Sequence, residues 1–272
     1  MGALQAVAVS VPTNAVERAI PIQGEPSAIA ERAVEQHGIF KKRLAAHGVK
    51  VANVEAALGT FSSACADLAV IFPDGAFVMR PSDLARRSEI AALERALATA
   101  GIPVVQRIEA PGLLDGGDVM LAGDSFFVGV PAKRASDVGI IAVAHGNAHG
   151  REQIAAYARS IGLNVVEIPF SAMARRLTSI AAAVDDGVVV CAPGLLDASA
   201  FAPWRRIEVP LGEDYGAGVL ALGGRHVIAN VRFREVLPLL RVNKIRVDAI
   251  DLGEFGKIGL TPSSLALVLK RA

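Results

Sequence analysis

Two aspartates, Asp115 and Asp118, bracket a glycine pair in the stretch GLLDGGDVML at 112–121, with apolar residues on both sides. Carboxylates seldom enter an apolar run without a partner, because burying an unpaired charge is costly. Asp67 interrupts a second such run, SACADLAV at 63–70. Arg80 ends a third, AFVMR, directly before Pro81, a position suited to the rim of a pocket. Asp118 also has a local reading: it can accept backbone N–H groups beside the glycines and hold a turn.

Other chemically capable residues read more plainly. Cys65 lies two residues before Asp67, so a strand there would put both on one face. A lone cysteine is nevertheless more often a small core residue, and Cys191, in VVVCAP, reads the same way. His145 and His149 are spaced i, i+4, which on a helix could seat a metal. Gly146 and Asn147 between them read instead as a turn or helix start, and no nearby carboxylate completes the set. No metal and no cofactor are expected. His37 and His47 read as solvated residues on or after a helix, His226 as lying beside a hairpin, and Arg86, Arg87 and Glu89 as a solvated helix face.

The bulk numbers set the frame. The chain has 272 residues, 52% hydrophobic and 20% charged, with net charge +1. That length buries a sizeable core. Near-neutral charge and scattered Lys and Arg give no footprint for nucleic acid or a membrane surface. Aromatic residues at 5% suggest no base-stacking platform. The start shows no charged leader before an apolar run, and two cysteines make no disulfide framework, so a cytoplasmic protein is expected.

The elements that would position these residues repeat. A β-rich run, a Pro or Gly turn, a helix and a second β-rich run recur in about five units of roughly 45 residues, a period typical of repeat architectures. The helical members are 28–48, 82–101, 150–162, 195–204 and 232–243, with Ser82 as an N-cap and Gly101 as a C-cap of the second. Closing such units into a ring removes exposed sheet edges. The expectation is one α/β domain over 1–272, a five-fold α/β propeller. The segments SSACADLAV, LLDGGDV, RRLTSIAAAV, YGAGVLAL and GLTPSSLAL join the units and would wall a central pocket.

At these residues the chain resembles the dimethylarginine dimethylaminohydrolase branch of the guanidino-group-modifying (pentein) superfamily, nearly end to end. LLDGGDVMLAGDSFFVGVP resembles the family's most recognisable segment, and MRPSDLARRSEI its arginine-bearing stretch. ADLAVI, RLTS and GEFGKIGLTPSSLALVL resemble the segments that carry its acidic ligand, its catalytic histidine and its nucleophilic cysteine. The resemblance implies the pentein fold. It also implies Asp67 as the guanidinium ligand, Asp115 as the orienter of the histidine, Arg80 as the holder of a substrate carboxylate, and close backbone approach at Gly116 and Gly117.

The resemblance fails where the chemistry should lie. Arg176 stands at the histidine position and Pro262 at the cysteine position. A proline has no nucleophile, and an arginine stays protonated near neutral pH. Ala66 replaces a frequent second carboxylate and Gly218 a frequent asparagine. HGNAHG, after an insertion around 135–144, replaces a stretch whose arginine helps bind the substrate carboxylate. Arg176 is expected to form a bidentate pair with Asp115. The expected function is a family member that has lost thiol-based hydrolysis and binds a small amino-acid-like or carboxylate ligand through Asp67, Arg80, Asp115, Asp118 and Arg176. The alternatives are an active hydrolase using Ser263, Ser264 or Cys65, or a non-catalytic assembly subunit. A homodimer is one assembly open to it.

Overall fold

The computed structural model describes residues 1–22, 24–132 and 145–272. The insertion expected around 135–144 lies outside the described residues. Fifteen short strands form five three-stranded sheets, the blades of a five-fold α/β propeller. The blades are β3(Ala69–Phe72)–β4(Gly75–Val78)–β5(Val104–Arg107), β6(Val119–Ala122)–β7(Ser125–Ala132)–β8(Asn164–Ser171), β9(Ala181–Asp185)–β10(Val188–Cys191)–β11(Arg205–Glu208), β12(Leu220–Gly223)–β13(His226–Asn230)–β14(Arg246–Ile250) and β15(Leu267–Arg271)–β1(Leu4–Ser10)–β2(Lys50–Val54). In every blade the middle strand runs antiparallel to the first and parallel to the third. The last strand of the chain completes the sheet begun by the first, which joins the two ends of the fold.

The parallel pairing requires a crossover, and a helix usually supplies it. Here these are α1(Ala30–Ala46), α2(Ile90–Thr99), α3(Ala148–Ser160) and, after three shorter segments described below, the helix at Val236–Val242. Gly101 closes the second at positive φ, as its type predicts, and Asn147 caps α3 through its side chain. The expected helix at 195–204 does not form. Pro193 precedes that stretch and Pro203 lies near its end, and a 3-10 turn, Ala198–Phe201, forms between them. Ser82 does not cap a helix either; Asp83 caps a 3-10 turn at Leu84–Glu89 that leads into α2.

Middle strands are covered on both faces and read as continuous apolar runs, as in SFFVGVPA and VVVC. The first strand of each blade faces the axis. Each follows a short helical turn: Cys65–Asp67, Gly116–Asp118, α4(Leu177–Ile180), Asp214–Ala217 and, beyond α5(Val236–Val242) and α6(Gly253–Lys257), α7(Pro262–Leu265). These five turns fall in the five joining segments marked in the sequence. Cys65 is accordingly in a 3-10 turn rather than the strand considered above. The turns gather beside an axial cavity of about 560 Å³ walled by all five first strands.

Candidate functional site

Asp67 ends the first axial turn and is fully buried. Two guanidiniums close on its carboxylate. Arg176 approaches side-on, with Nε donating to Oδ1 at 2.5 Å and Nη2 to Oδ2, and Arg86 Nη1 donates to Oδ2. Arg86 is itself held by Glu89, with Nη2 donating to Oε2 at 2.9 Å and Nε to Oε1 at 3.2 Å, and by the carbonyl of Ala64 at 3.0 Å. The result is a buried chain of alternating charge, Arg176–Asp67–Arg86–Glu89. Burial alone would raise the Asp67 pKa, but the Arg176 and Arg86 cations hold it below the usual carboxylate range.

Two expectations are corrected here. Arg176 forms its bidentate pair with Asp67, not Asp115. The ring brings the axial turns close enough that Arg176 passes Gly117, where a Cβ would lie 2.6 Å from Asp67 Oδ1 and 2.8 Å from Arg176 Cγ. Only glycine leaves that path open. The stretch with Arg86 and Glu89 is not a solvated face either: both are buried, at 2% and 3% exposure. A 3-10 turn stacks residues i and i+3, so Arg86 and Glu89 point inward together, while Leu84 is left outside.

Asp115 lies one turn away. It accepts from Ser82 Oγ at 2.8 Å and from the Ser82 N–H at 3.5 Å. Burial, with the negative charges of Asp67 and Asp118 behind it, pushes its pKa up to about 6. Asp118 accepts a backbone N–H, but that of Leu177 across the site rather than one beside the glycines, with Oδ1 at 3.3 Å, and its Oδ2 lies 2.9 Å from His145 Nδ1. Burial opposes protonation of that imidazole, but Asp118 outweighs it and raises the His145 pKa. Arg80 is half-buried and donates to the Gly112 carbonyl at 3.0 Å.

Across the axis, Pro262 is the first residue of α7 and is buried, and Thr261 and Ser264 form a capping box around it. Ser263 Oγ donates to the Thr178 carbonyl at 2.8 Å, while Thr178 Oγ1 donates to the Gly117 carbonyl at 3.0 Å. Ser264 is fully buried, with its hydroxyl 3.4 Å from Ser179 and 3.2 Å from Thr261. Positions 67, 115, 176 and 262 thus meet in one axial layer. Phe61 covers it, its ring 5.4 Å from the guanidinium carbon of Arg175 and 5.6 Å from that of Arg176.

The remaining groups sit apart from this layer's polar contacts. Cys65 is fully buried and its thiol is pushed up to about 12 by burial; Cys191, in β10, is pushed to about 12 for the same reason. His149 is exposed on α3. His37 is not solvated but buried on the inner face of α1, and desolvation lowers its pKa to about 4. Arg86, Glu89 and His145 are the site residues that sequence reasoning missed. His145 carried a signal, as one of the two histidines in HGNAHG, the segment that departs most from the family pattern.

No family model matches the chain. Its fold is shared with a dimethylarginine dimethylaminohydrolase from Pseudomonas aeruginosa, a cysteine-to-serine mutant complexed with citrulline, at a TM-score of 0.83 and 22% identity over 97% of this chain and 99% of that one. An N-terminal domain of a cyanobacterial arginine dihydrolase matches at 0.81 with 17% identity, over 98% and 97%. An amidinotransferase of Microseira wollei matches at 0.80 with 15%, over 99% and 95%. The fold is thus the pentein fold. Within that class the sequence narrows the choice. It is 32% identical to the N(G),N(G)-dimethylarginine dimethylaminohydrolase of Streptomyces coelicolor over 227 residues, 83% of this chain and 81% of that protein. The corresponding enzyme of Pseudomonas aeruginosa is 27% identical over 71% and 70%. The chain belongs to the dimethylarginine dimethylaminohydrolase family.

Proposed function

We propose that this protein is a non-hydrolysing member of its family that binds a small carboxylate-bearing ligand at the propeller axis. The observation that carries the reading is the occupied carboxylate of Asp67. A guanidinium substrate binds by forking onto a carboxylate, and here Arg176 already supplies the fork while Arg86 covers the remaining oxygen. Arg176 behaves as a substrate guanidinium built into the chain, at the position where relatives place the base. Pro262 stands where they place the nucleophile. Ser263 and Ser264 are engaged with neighbouring hydroxyls and carbonyls, and among the described residues no imidazole bonds to either. A buried thiol such as Cys65, held near 12, has almost no thiolate at neutral pH.

The axial cavity supports the choice of ligand. Its volume lies in the range of small-molecule sites. Ala66, Gly116, Thr178 and Ser263 line it beside the charged layer, the walls are mostly aliphatic, and among the described residues the charged side chains in its lining are Lys270 and Arg271, with no carboxylate. That field favours an anion with an apolar body over a cation such as arginine. The cytosol, where reduced thiols persist, is the compartment that suits this reading.

The test is a binding screen by thermal shift and calorimetry with citrulline, short-chain carboxylates, arginine and dimethylarginine, run beside an assay for citrulline and dimethylamine. Saturable binding of a carboxylate, weakened in Lys270→Ala, with no product formed, is the expected outcome. Turnover of dimethylarginine by the unmodified chain would overturn the reading. Tighter binding of arginine than of its carboxylate analogues would overturn the choice of ligand.

A further inference from the structure

A convergent set of metal-binding side chains lies on the outer surface, away from the axial layer. His47 is the C-cap residue of α1, His226 opens β13 and Asp248 is the central residue of β14. β13 and β14 run parallel with His226 opposite Arg246, so Asp248, two residues on, shares its face. The end of α1 brings His47 over the same spot, and the two imidazoles meet edge to face with centroids 4.8 Å apart. Both present the same nitrogen to one carboxylate. His47 Nε2 lies 2.6 Å from Asp248 Oδ2, and His226 Nε2 lies 3.1 Å from Oδ1. One donor atom from each residue lies within 4.8 Å of the others.

We propose that His47, His226 and Asp248 form a site for a late first-row divalent metal, of which zinc(II) is the reference case. Two imidazole nitrogens and one carboxylate oxygen are a donor set that zinc accepts with a position left for water. The three side chains are 28%, 15% and 20% exposed, enough for an ion to reach them while their backbones stay fixed in three different elements. Binding exchanges two imidazole–carboxylate hydrogen bonds for metal bonds. Each Nε2 gives up the proton it donates to Asp248; that proton moves to Nδ1 in a neutral ring or leaves to solvent from an imidazolium, so that Nε2 offers a lone pair and Asp248 binds as the carboxylate.

One group opposes the ion. Arg43 Nη1 lies 3.5 Å from Asp248 Oδ2, but that side chain is 45% exposed and can turn away. Because α1 belongs to the blade that closes the ring and β13–β14 to the blade beside it, a bound metal links two neighbouring blades near the seam of the chain. Its effect is then on stability, independent of the axial ligand.

The test uses the full chain freed of metal by a chelator and titrated with zinc(II) by calorimetry. One ion per chain is expected, with His47→Ala and His226→Ala each weakening binding by more than about tenfold and Arg43→Ala strengthening it. Zinc(II) is expected to raise the melting temperature of the unmodified protein and not that of the double His47→Ala/His226→Ala variant. A footprint on the unmodified protein guards against misfolded variants: zinc(II) should protect His47 and His226 from acylation by diethyl pyrocarbonate and leave His149 reactive. Binding that survives both histidine changes, or unprotected His47 and His226 at saturating zinc(II), would overturn the assignment.

Discussion

Replacing Asp67 with asparagine keeps the shape of the axial layer and removes its central anion. In the native layer Arg176, Asp67, Arg86 and Glu89 carry alternating charges that cancel. Asp67→Asn leaves Glu89 to neutralise Arg86 and leaves Arg176 without a counter-ion, at 7% exposure. Asparagine can still accept one hydrogen bond from a guanidinium, so part of the geometry survives. Removing one partner of a buried ion pair typically costs about 3–5 kcal/mol, most of it the stranded charge. For a chain of this size that corresponds to a fall of roughly 6–20 °C in melting temperature. Urea unfolding of three proteins separates stranded charge from lost shape: the parent, Asp67→Asn, and Asp67→Asn combined with Arg176→Met. The double variant removes the stranded cation as well, so it is expected to be more stable than Asp67→Asn alone. If Asp67→Asn lies within about 1 kcal/mol of the parent, the ordinary range for a change away from any special feature, the buried charge chain does not hold the layer together. If the double variant is no better than the single one, the penalty does not come from Arg176.

Three further outcomes follow from the same geometry. Asp115, with its pKa raised to about 6, binds its proton more tightly folded than unfolded, so its contribution is present below about pH 4 and is lost as pH rises through 6; Asp115→Asn should flatten the stability–pH curve between about 4 and 6 and raise stability at neutral pH. Asp67 runs the other way, its stabilisation vanishing only as pH falls below the ordinary carboxylate range, so urea midpoints across pH distinguish the two. Gly117→Ala places a methyl group against the Arg176 stem and should cost about 1–3 kcal/mol as an overpacked site; a neutral result in thermal unfolding would mean the turn is looser than described. Both thiols, buried and held near 12, should resist a chromogenic disulfide at pH 8 until the protein is unfolded; rapid reaction of one thiol in the native protein would reopen Cys65 as a nucleophile.

Much of the frame was legible because it rests on repetition. Five strand–helix–strand units predicted the middle and third strands of the blades, and the joining segments, expected only to wall a pocket, also carry the first strands that wall the cavity. The convergence of Asp67, Asp115, Arg176 and Pro262 followed from the family pattern mapped onto that ring. What failed was the assignment of partners. Arg86 and Glu89 read as solvent-facing because charged residues in a helical run usually are; the 3-10 geometry that turns them inward is set by packing, not by their spacing. His37 was misread although the signal was there. Ala33, His37, Phe40 and Leu44 follow one apolar stripe, and all four are buried. The fourth crossover was called helical on apolar content alone, when two prolines left room for one turn.

The pairing of Arg176 with Asp67 rather than Asp115 has its own electrostatic logic. Around the axial layer Asp67, Glu89, Asp115 and Asp118 lie near the guanidiniums of Arg86 and Arg176, so carboxylates outnumber guanidiniums there. Asp67 is the most deeply buried of the carboxylates and takes two cations. Asp115 keeps its proton more tightly through its raised pKa, and His145, bonded to Asp118, is held more basic than usual. A histidine in place of Arg176 would remove a permanent cation and deepen the imbalance. Arg176 neutralises Asp67 in a buried layer that His145, bonded to Asp118, does not serve, and the groups with shifted acid–base behaviour beside it are Asp115 and His145.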